Sequence, residues 1–207
     1  MAQATVRAPG LLTTVQDLGR WGWQARGVAV AGPMDPYSHR LANAMVGNDR
    51  AAATLEITLA GPVLEFDDER MVVVTGGDFE ITVNAATART ESPFLVRAGS
   101  FLRIARRRRG ARAYLAIGGG IDVPAVLGSR ATHLPSRIGG CEGRPLQVGD
   151  VLPLGARPLA RSSAESGWTA ANLRHGGDST TVRVIPGPEQ HRFQADALER
   201  LLSDAYR

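Results

Sequence analysis

The 207-residue sequence contains no lysine, so all 24 of its basic residues are arginine. That absence excludes several chemistries at once. No Schiff-base lysine, no Walker-type phosphate lysine and no carbamylated lysine ligand can be built from this chain. Any phosphate or carboxylate it holds must be met by arginine forks, backbone N–H groups or a partner's residues. Genome composition is the simpler cause of the bias, and the exclusion stands either way. Cysteine is reduced to Cys141 alone, which rules out an internal disulfide and fits a reducing, cytoplasmic compartment. No apolar run approaches the roughly 20 residues of a membrane span, so no membrane partner is expected. Residues 2–8 alternate like a strand instead of ordering basic before apolar as a signal peptide does. The four histidines, His39, His133, His175 and His191, show no ligand spacing, so no metal site is expected.

What is present is ordinary globular composition, 43% hydrophobic, enough for one good core or two small ones. The net charge of +4 and the run Arg106-Arg107-Arg108-Arg109 raise the question of nucleic acid. Strand patterns on both sides, over 101–105 and 111–117, place that run at a hairpin turn ending in Gly110. No aromatic residues interleave with it and no recognition motif accompanies it. A solvated hairpin tip is therefore the better reading, and no nucleic-acid partner is expected.

The dominant rhythm is short strands: 4–7, 54–59, 63–66, 71–75, 79–83, 94–96, 101–105, 113–117 and 148–154. Gly61-Pro62, Gly76-Gly77, Asn84-Ala85, Ala98-Gly99 and Gly110 punctuate them. Such spacing with one early helix predicts a mainly β domain, a mostly antiparallel barrel over residues 1–155. Residues 156–180 are rich in Ala, Arg, Ser and Gly and read as a linker. A strand over 181–185 and a helix over 193–202, with Phe193, Ala197, Leu198, Leu201 and Leu202 on one face, then begin again. VRVIPG at 182–187 echoes VRAPG at 6–10. Residues 181–207 thus read as the start of a second domain that this chain does not finish.

Two polar stretches stand out. LLTTVQDLGRWGWQARGVAVAGPMD, 11–35, reads as a shaped loop carrying Thr13, Thr14, Gln16, Asp17 and Arg20, with Trp21, Trp23 and Met34 as apolar anchors. It ends on Asp35 as the N-cap of a helix with Pro36 at N1, running to about Val46 and stopped by Gly47-Asn48. Tyr37, Leu41, Ala44 and Met45 form its expected apolar face. The second stretch, 118–150, carries Asp122, Ser129, Arg130, Thr132, His133, Ser136, Arg137, Glu142 and Arg144 among glycines, a loop length that is usually functional. Gly118-Gly119-Gly120 is either a phosphate cradle or a tight strand exit. His133 is either a general acid–base or a structural hydrogen-bonder, the second being commoner for a lone histidine. Cys141 has no local base and reads as a small apolar loop residue.

PGLLTTVQDLGR, GPMD, LANAMVGN, LEITLAGPVLEF, AYLAIGGGIDVP, LGSRATHLPS, GGCEGRPLQVGD and RVIPGP together resemble the family of the bacterial 5-oxoprolinase C subunit. The same family is called biotin-dependent carboxyltransferase, or allophanate hydrolase subunit 2, and is similar to half of the carboxyltransferase region of urea carboxylase. The motifs run in order through nearly the whole chain. The resemblance implies tandem cyclophilin-like β-barrels. It implies association with the 5-oxoprolinase B subunit, which is allophanate hydrolase subunit 1-like, and with the A subunit. It also implies ATP-dependent opening of 5-oxoproline to glutamate, with ATP and Mg2+ bound by the complex. The family continues through a DRMGYRL-type stretch and a TTGGYP-type loop that this sequence lacks, so it is expected to be one piece of a longer or split protein and inactive alone. Cys141 stands where the family usually has a larger apolar residue, which favours its packing role.

Opening a lactam by way of a phosphorylated lactam oxygen needs positioned positive charge more than covalent protein chemistry. Arg20, Arg130, Arg137 and Arg144 are then the candidates for phosphate or the substrate carboxylate. Thr14, Gln16, Ser136 and the backbone N–H groups near Gly139 and Gly140 are candidates to hold the lactam amide. Asp17 or His133 is expected to move a proton or orient water, with Asp17, His133, Arg20 and Arg137 as the catalytic set. The alternatives are a carboxyltransferase half-domain served by a biotin carrier, and a non-catalytic regulator that binds a kinase-inhibitor-like B subunit.

Overall fold

The computed structural model describes residues 2–156 and 183–204. The chain divides into two compact units, Met1–Ala170 and Ala171–Arg207. The first is a single nine-stranded antiparallel sheet curled into a half-barrel, with one α-helix. Its elements are β1 (Gln3–Ala8), β2 (Leu12–Gln16), α1 (Pro36–Met45), β3 (Thr54–Thr58), β4 (Val63–Phe66), β5 (Arg70–Val83), β6 (Ala86–Ala88), β7 (Phe94–Val96), β8 (Phe101–Ile117) and β9 (Val151–Pro153). Neighbouring strands run β2-β3-β8-β4-β1-β9, and β5 lies along β8 while also pairing with β6 and β7.

β5 and β8 form the spine. They pair from Val72↔Ile117 to Val83↔Leu102. The first part of β8 also pairs with β4 and the last part with β3. The sequence predicts four strands here, with Arg106–Arg109 at a hairpin tip, and this is the main correction to the expected fold. Both strands run straight through their glycines. The ladder shifts register between Gly76 and Ile81, and the backbones approach too closely for side chains. A Cβ on Gly77 would sit 2.9 Å from the carbonyl oxygens of Arg109 and Arg112. The glycines therefore make a bulged bend within a continuous ribbon and not a reversal of the chain. The four arginines are exposed along that ribbon.

Alternation along the strands separates two faces. Leu55 and Ile57, Leu64 and Phe66, Val72 and Val74, Leu102 and Ile104, and Leu115 and Ile117 bury into the core. Each such side chain contributes about 1.5–3 kcal/mol on burial. The alternate positions on β3, β5 and β8 bring Glu56, Thr54, Thr75 and Tyr114 into buried contact with α1 and the chain leading to it.

α1 begins where predicted. Asp35 Oδ1 accepts from the N–H groups of Tyr37 at 3.1 Å and Ser38 at 3.0 Å, with Pro36 in the first turn. The expected apolar face does not hold. Tyr37 and Ala44 are exposed, and the fully buried residues are Ser38, His39, Ala42 and Asn43. Ala42, Val46 and Met45 pack on Val73, Tyr114 and Ala116, and beside that small apolar cluster the contact is polar: His39 Nδ1 lies 2.9 Å from Thr54 Oγ1, the Thr75 hydroxyl donates to Ser38 O at 2.7 Å, and Asn43 Nδ2 donates to Ala52 O at 2.7 Å. Hydrophobic periodicity cannot see the part of an interface built from hydrogen bonds.

β2 and β6 are strands that the sequence reading leaves inside loops, and β9 is shorter than the expected 148–154. In the second unit a 3-10 turn (Gln190–Arg192) precedes α2 (Ala197–Ser203), a shorter helix than expected. The strand expected over 181–185 lies partly outside the described residues, and 183–187 carry no strand. Residues 157–180 of the expected linker also lie outside the described residues. Among the described residues no helix is long and apolar enough to cross a membrane.

Candidate functional site

The two polar stretches meet along one seam. β2 forms one wall, with Thr13, Thr14, Val15 and Gln16 all buried and paired in register to β3, from Leu12↔Thr58 to Gln16↔Thr54. Residues 129–133 of the second stretch lie against it. Thr132 donates to Val15 O through both its N–H and its hydroxyl, each at 2.9 Å, and Leu146 N–H donates to Thr13 O at 2.9 Å. Gln16 Nε2 donates to Thr132 O at 3.2 Å and to Thr14 Oγ1 at 3.0 Å.

Two charged side chains close the seam. The Asp17 carboxylate accepts from Gly19 N–H at 2.9 Å and from the Ser129 hydroxyl and Arg130 N–H. Arg20, only 1% exposed, donates from Nη2 to Ala131 O and from Nε to Val126 O at 3.4 Å. Gly139 packs directly on this arginine: a Cβ there would lie 2.5 Å from Nη2 and 2.0 Å from Ala131 O. At Gly140 a Cβ would lie 2.0 Å from Thr132 Oγ1. Both glycines have positive φ, so close approach and backbone conformation demand the same residue.

His133 exchanges backbone bonds with Ile138, N–H to O at 2.9 Å and back at 3.4 Å. The turn between them, 134–137, is exposed and carries Ser136 and Arg137 at its tip, away from the buried wall of the seam. Arg130 turns aside, donating from Nε to Val123 O at 2.8 Å and pairing with Asp122. Arg144 grips Asp150 in bidentate fashion at 2.8 and 2.9 Å and lies 3.4 Å from Glu142. That pairing holds the Asp150 carboxyl below its ordinary range. Burial pushes the nearby Cys141 thiol up to about 11. The structure thus gathers Thr14, Gln16, Asp17, Arg20, His133, Gly139 and Gly140 and leaves the side chains of Arg130, Ser136, Arg137 and Arg144 at its margins.

Gly118-Gly119-Gly120 is a strand exit. Its N–H groups donate to Met71 O at 2.8 Å, Asn48 Oδ1 at 2.7 Å and Ile117 O at 2.8 Å, leaving none to cradle a phosphate. The expected apolar anchors also differ. Trp21 is 68% exposed and Met34 72%, while Trp23 lies partly buried under the Arg26 guanidinium at 5.3 Å. The end of the first loop is pinned instead by polar groups. Glu56 Oε2 accepts from Met34 N–H at 2.7 Å and from the Tyr114 hydroxyl at 2.8 Å, and that hydroxyl accepts from Asp35 N–H at 2.7 Å. Burial, reinforced by the Glu56 charge, raises the Tyr114 phenol well above its usual range. Burial also lowers His39 to about 4, so it is neutral at physiological pH. Glu56 and Tyr114 occupy the non-core phase of two predicted strands, and that phase is the signal by which the sequence could have shown them.

Among the described residues, four buried side-chain atoms lack a hydrogen-bond partner: Gln16 Oε1, Arg20 Nη1, His133 Nδ1 and Arg70 Nε. The first three belong to the seam. No group of three or more His, Cys, Asp or Glu side chains suited to a metal occurs among the described residues.

The family described as carboxyltransferase domain, subdomain A and B, matches residues 26–207. The chain is 38% identical over 197 residues to the C subunit of 5-oxoprolinase from Escherichia coli strain K12, covering 95% of this chain and 60% of that protein. It is 46% identical over 159 residues to urea amidolyase of Lachancea kluyveri, covering 76% of this chain and 9% of that protein. The crystal structure of Kluyveromyces lactis urea carboxylase is similar with a TM-score of 0.73 at 47% identity, over 78% of this chain and 14% of that one. The chain therefore spans under two thirds of the length of each of these relatives.

Proposed function

The chain belongs to the carboxyltransferase domain family, subdomain A and B, and on that premise we propose that it works as a component of an ATP-dependent 5-oxoprolinase complex, converting 5-oxo-L-proline to L-glutamate. The observation that carries this reading is 38% identity covering 95% of the chain and 60% of the 5-oxoprolinase relative, whereas the putative urea carboxylase matched over 94% of the chain is 33% identical and covered to 16%. The active unit is a complex with the B and A subunits of 5-oxoprolinase in the cytoplasm, and the site is shared with the first of these.

The seam supplies binding and orientation. Thr14 and Gln16, with the backbone of Gly139, hold the lactam against a wall fixed by β2; the Gly140 N–H is engaged by Arg130 O at 2.8 Å and shapes the loop instead. Arg20 supplies buried positive charge beside the lactam oxygen, where charge accumulates as the ring opens. His133 carries the proton transfer. Asp17 uses its carboxylate on three bonds within the protein, so it positions the second loop and does not touch substrate. Arg137 and Ser136, on the exposed turn, meet the substrate carboxylate or a phosphoryl group arriving from a partner, with Arg130 and Arg144 bracing the loop through Asp122 and Asp150.

The glycine triplet does not fit a phosphate cradle. The chain has no lysine, and the N–H groups of its glycine triplet are already taken. ATP and Mg2+ are accordingly assigned to the assembled complex.

Co-expression with the B and A subunits, followed by glutamate release and 5-oxoproline-stimulated ATP hydrolysis, tests the reading. Glutamate formed in step with ATP consumed supports it; a stable complex without turnover overturns it. The 46% identity to urea amidolyase favours a second reading, a carboxyltransferase half-domain served by a biotin carrier. Urea carboxylation that avidin abolishes is its distinguishing result.

A further inference from the structure

We infer that Tyr114 and Glu56 are positioning residues for Arg20: from the outer face of the sheet they fix the returning limb of the first loop, and that limb fixes the arginine. The effect on turnover rests on the reading of the seam as the substrate site; the coupling itself stands apart from it.

Strand register puts the pair beside the seam. Thr14, Glu56, Tyr114 and Thr75 are successive cross-strand partners on β2, β3, β8 and β5, so they form one transverse row on the face away from the core. Thr14 belongs to the seam wall, and Glu56 is its neighbour in the row. The Tyr114 hydroxyl gives its one proton to Glu56 Oε2 at 2.8 Å and accepts the Asp35 N–H at 2.7 Å. Glu56 Oε2 also accepts the Met34 N–H at 2.7 Å, and Arg112 Nη1 stands 3.2 Å from Oε1. Two consecutive N–H groups of the limb are thus held by one buried pair.

The limb transmits that hold. From Val30 to Gly32 it passes residues 17–20 too closely for side chains. A Cβ on Gly19 would lie 2.7 Å from Val30 O, and one on Gly32 would lie 3.2 Å from Asp17 O. The Arg20 N–H donates to Val30 O at 2.8 Å. Between the two attachments Ala31 takes a φ of +56°, a left-handed conformation that a non-glycine residue keeps only where its surroundings impose it. The Arg20–Val30 bond imposes it from one end and the Tyr114–Glu56 pair from the other. Releasing the pair lets Ala31 relax, withdraws Val30 and loosens Arg20 from its place against Ala131.

Hydrogen exchange followed by NMR in the full 207-residue chain tests the coupling. Tyr114→Phe keeps the ring and its edge-on contact with His39 and removes only the hydroxyl. The Arg20 N–H and Nε–H protons should then exchange about ten-fold faster or more relative to the core-strand amides of Leu55 and Leu115, the effect of one lost buried hydrogen bond. Thr75→Val is the matched control. Thr75 stands next in the same row, is equally buried, and loses a hydroxyl bond to Ser38 O that does not touch the limb. That variant should leave Arg20 unchanged relative to the same amides. Arg20 moving in step with Leu55 and Leu115 in Tyr114→Phe, or moving equally in both variants, overturns the inference. If Tyr114→Phe does not fold, exchange in the wild-type chain decides: Arg20, Met34 and Asp35 should open as one unit with a single urea dependence, and separate openings refute the coupling.

Turnover is scored separately, in the complex with the B and A subunits. Tyr114→Phe should lower kcat about ten-fold with KM nearly unchanged, because Arg20 acts where charge accumulates in the transition state, and Thr75→Val should not. An unchanged kcat in a complex whose Arg20 exchange is faster contradicts the positioning role. A wild-type complex without turnover sinks the oxoprolinase reading and leaves the exchange result to decide this one.

Discussion

Gly139 and Gly99 form a matched pair that tests whether the second loop is locked onto Arg20. Both take a positive φ, +73° and +74°. Alanine at Gly99 meets nothing within 4 Å, so it incurs only the left-handed backbone penalty, about 1 kcal/mol. At Gly139 the new Cβ would lie 2.0 Å from Ala131 O and 2.5 Å from Arg20 Nη2. Neither can yield cheaply, since the two atoms are bonded to each other and the oxygen is backbone. Overpacking adds about 1–3 kcal/mol and weakening the Arg20 bond about 1–3 more. Gly139→Ala should therefore cost about 3–7 kcal/mol in all, some 2–6 more than Gly99→Ala. Urea unfolding followed by far-UV circular dichroism reads this directly. With an m-value of about 2 kcal/mol/M, the Gly139→Ala midpoint should fall about 1–3 M below that of Gly99→Ala. Coincident midpoints would show that the loop gives way freely and that the seam is not rigid.

Three further outcomes follow from the geometry. Asp17→Asn should destabilise the chain by about 2–4 kcal/mol, because an amide NH2 then confronts donors; a double-mutant cycle with Ser129→Ala should show coupling of about 1 kcal/mol or more, and additivity within about 0.5 kcal/mol contradicts the clamp. Buried neutral His39, lowered from 6.5 to about 4, takes up its proton later than in the unfolded chain. Stability should be unaffected by this group above pH 6.5 and fall as pH drops from 6.5 to about 4, by roughly 3 kcal/mol at most; His39→Gln should flatten that slope, and an unchanged slope refutes the assignment. Cys141, raised from 9.0 to about 11, should react with iodoacetamide at pH 8 roughly 100-fold more slowly in the folded chain than in urea, and equal rates refute its burial.

The legible parts of the fold were those with local causes. Asp35, Pro36 and Gly47 mark the helix because capping, a fixed φ and a left-handed stop each act within a few residues. β3, β4 and β7 follow from alternation bounded by turn residues. The misread parts depend on what lies opposite. Gly76, Gly77 and Gly110 have the composition of turns, and only the close crossing of β5 and β8 shows that they bend a ribbon. Thr13 to Gln16 have loop composition, yet β3 on one side and 131–132 on the other make them a buried strand. The helix face differs from its apolar periodicity because Thr75 and Thr54 engage Ser38 and His39 by hydrogen bonding and the Tyr114 ring meets His39 edge-on. In the candidate site, polarity picked out Thr14, Gln16, Asp17, Arg20 and His133. The same signal could not distinguish Arg20, buried against Ala131, from Arg144, engaged with Asp150.

The most direct test of the central claim is glutamate release from 5-oxo-L-proline by the complex assembled with the B and A subunits. Glutamate should form in step with ATP hydrolysis, and His133→Ala should lower kcat about 100-fold or more while the complex stays intact. No glutamate from the wild-type complex, with avidin-sensitive carboxylation of urea in its place, would contradict the oxoprolinase account and make this chain a carboxyltransferase half-domain.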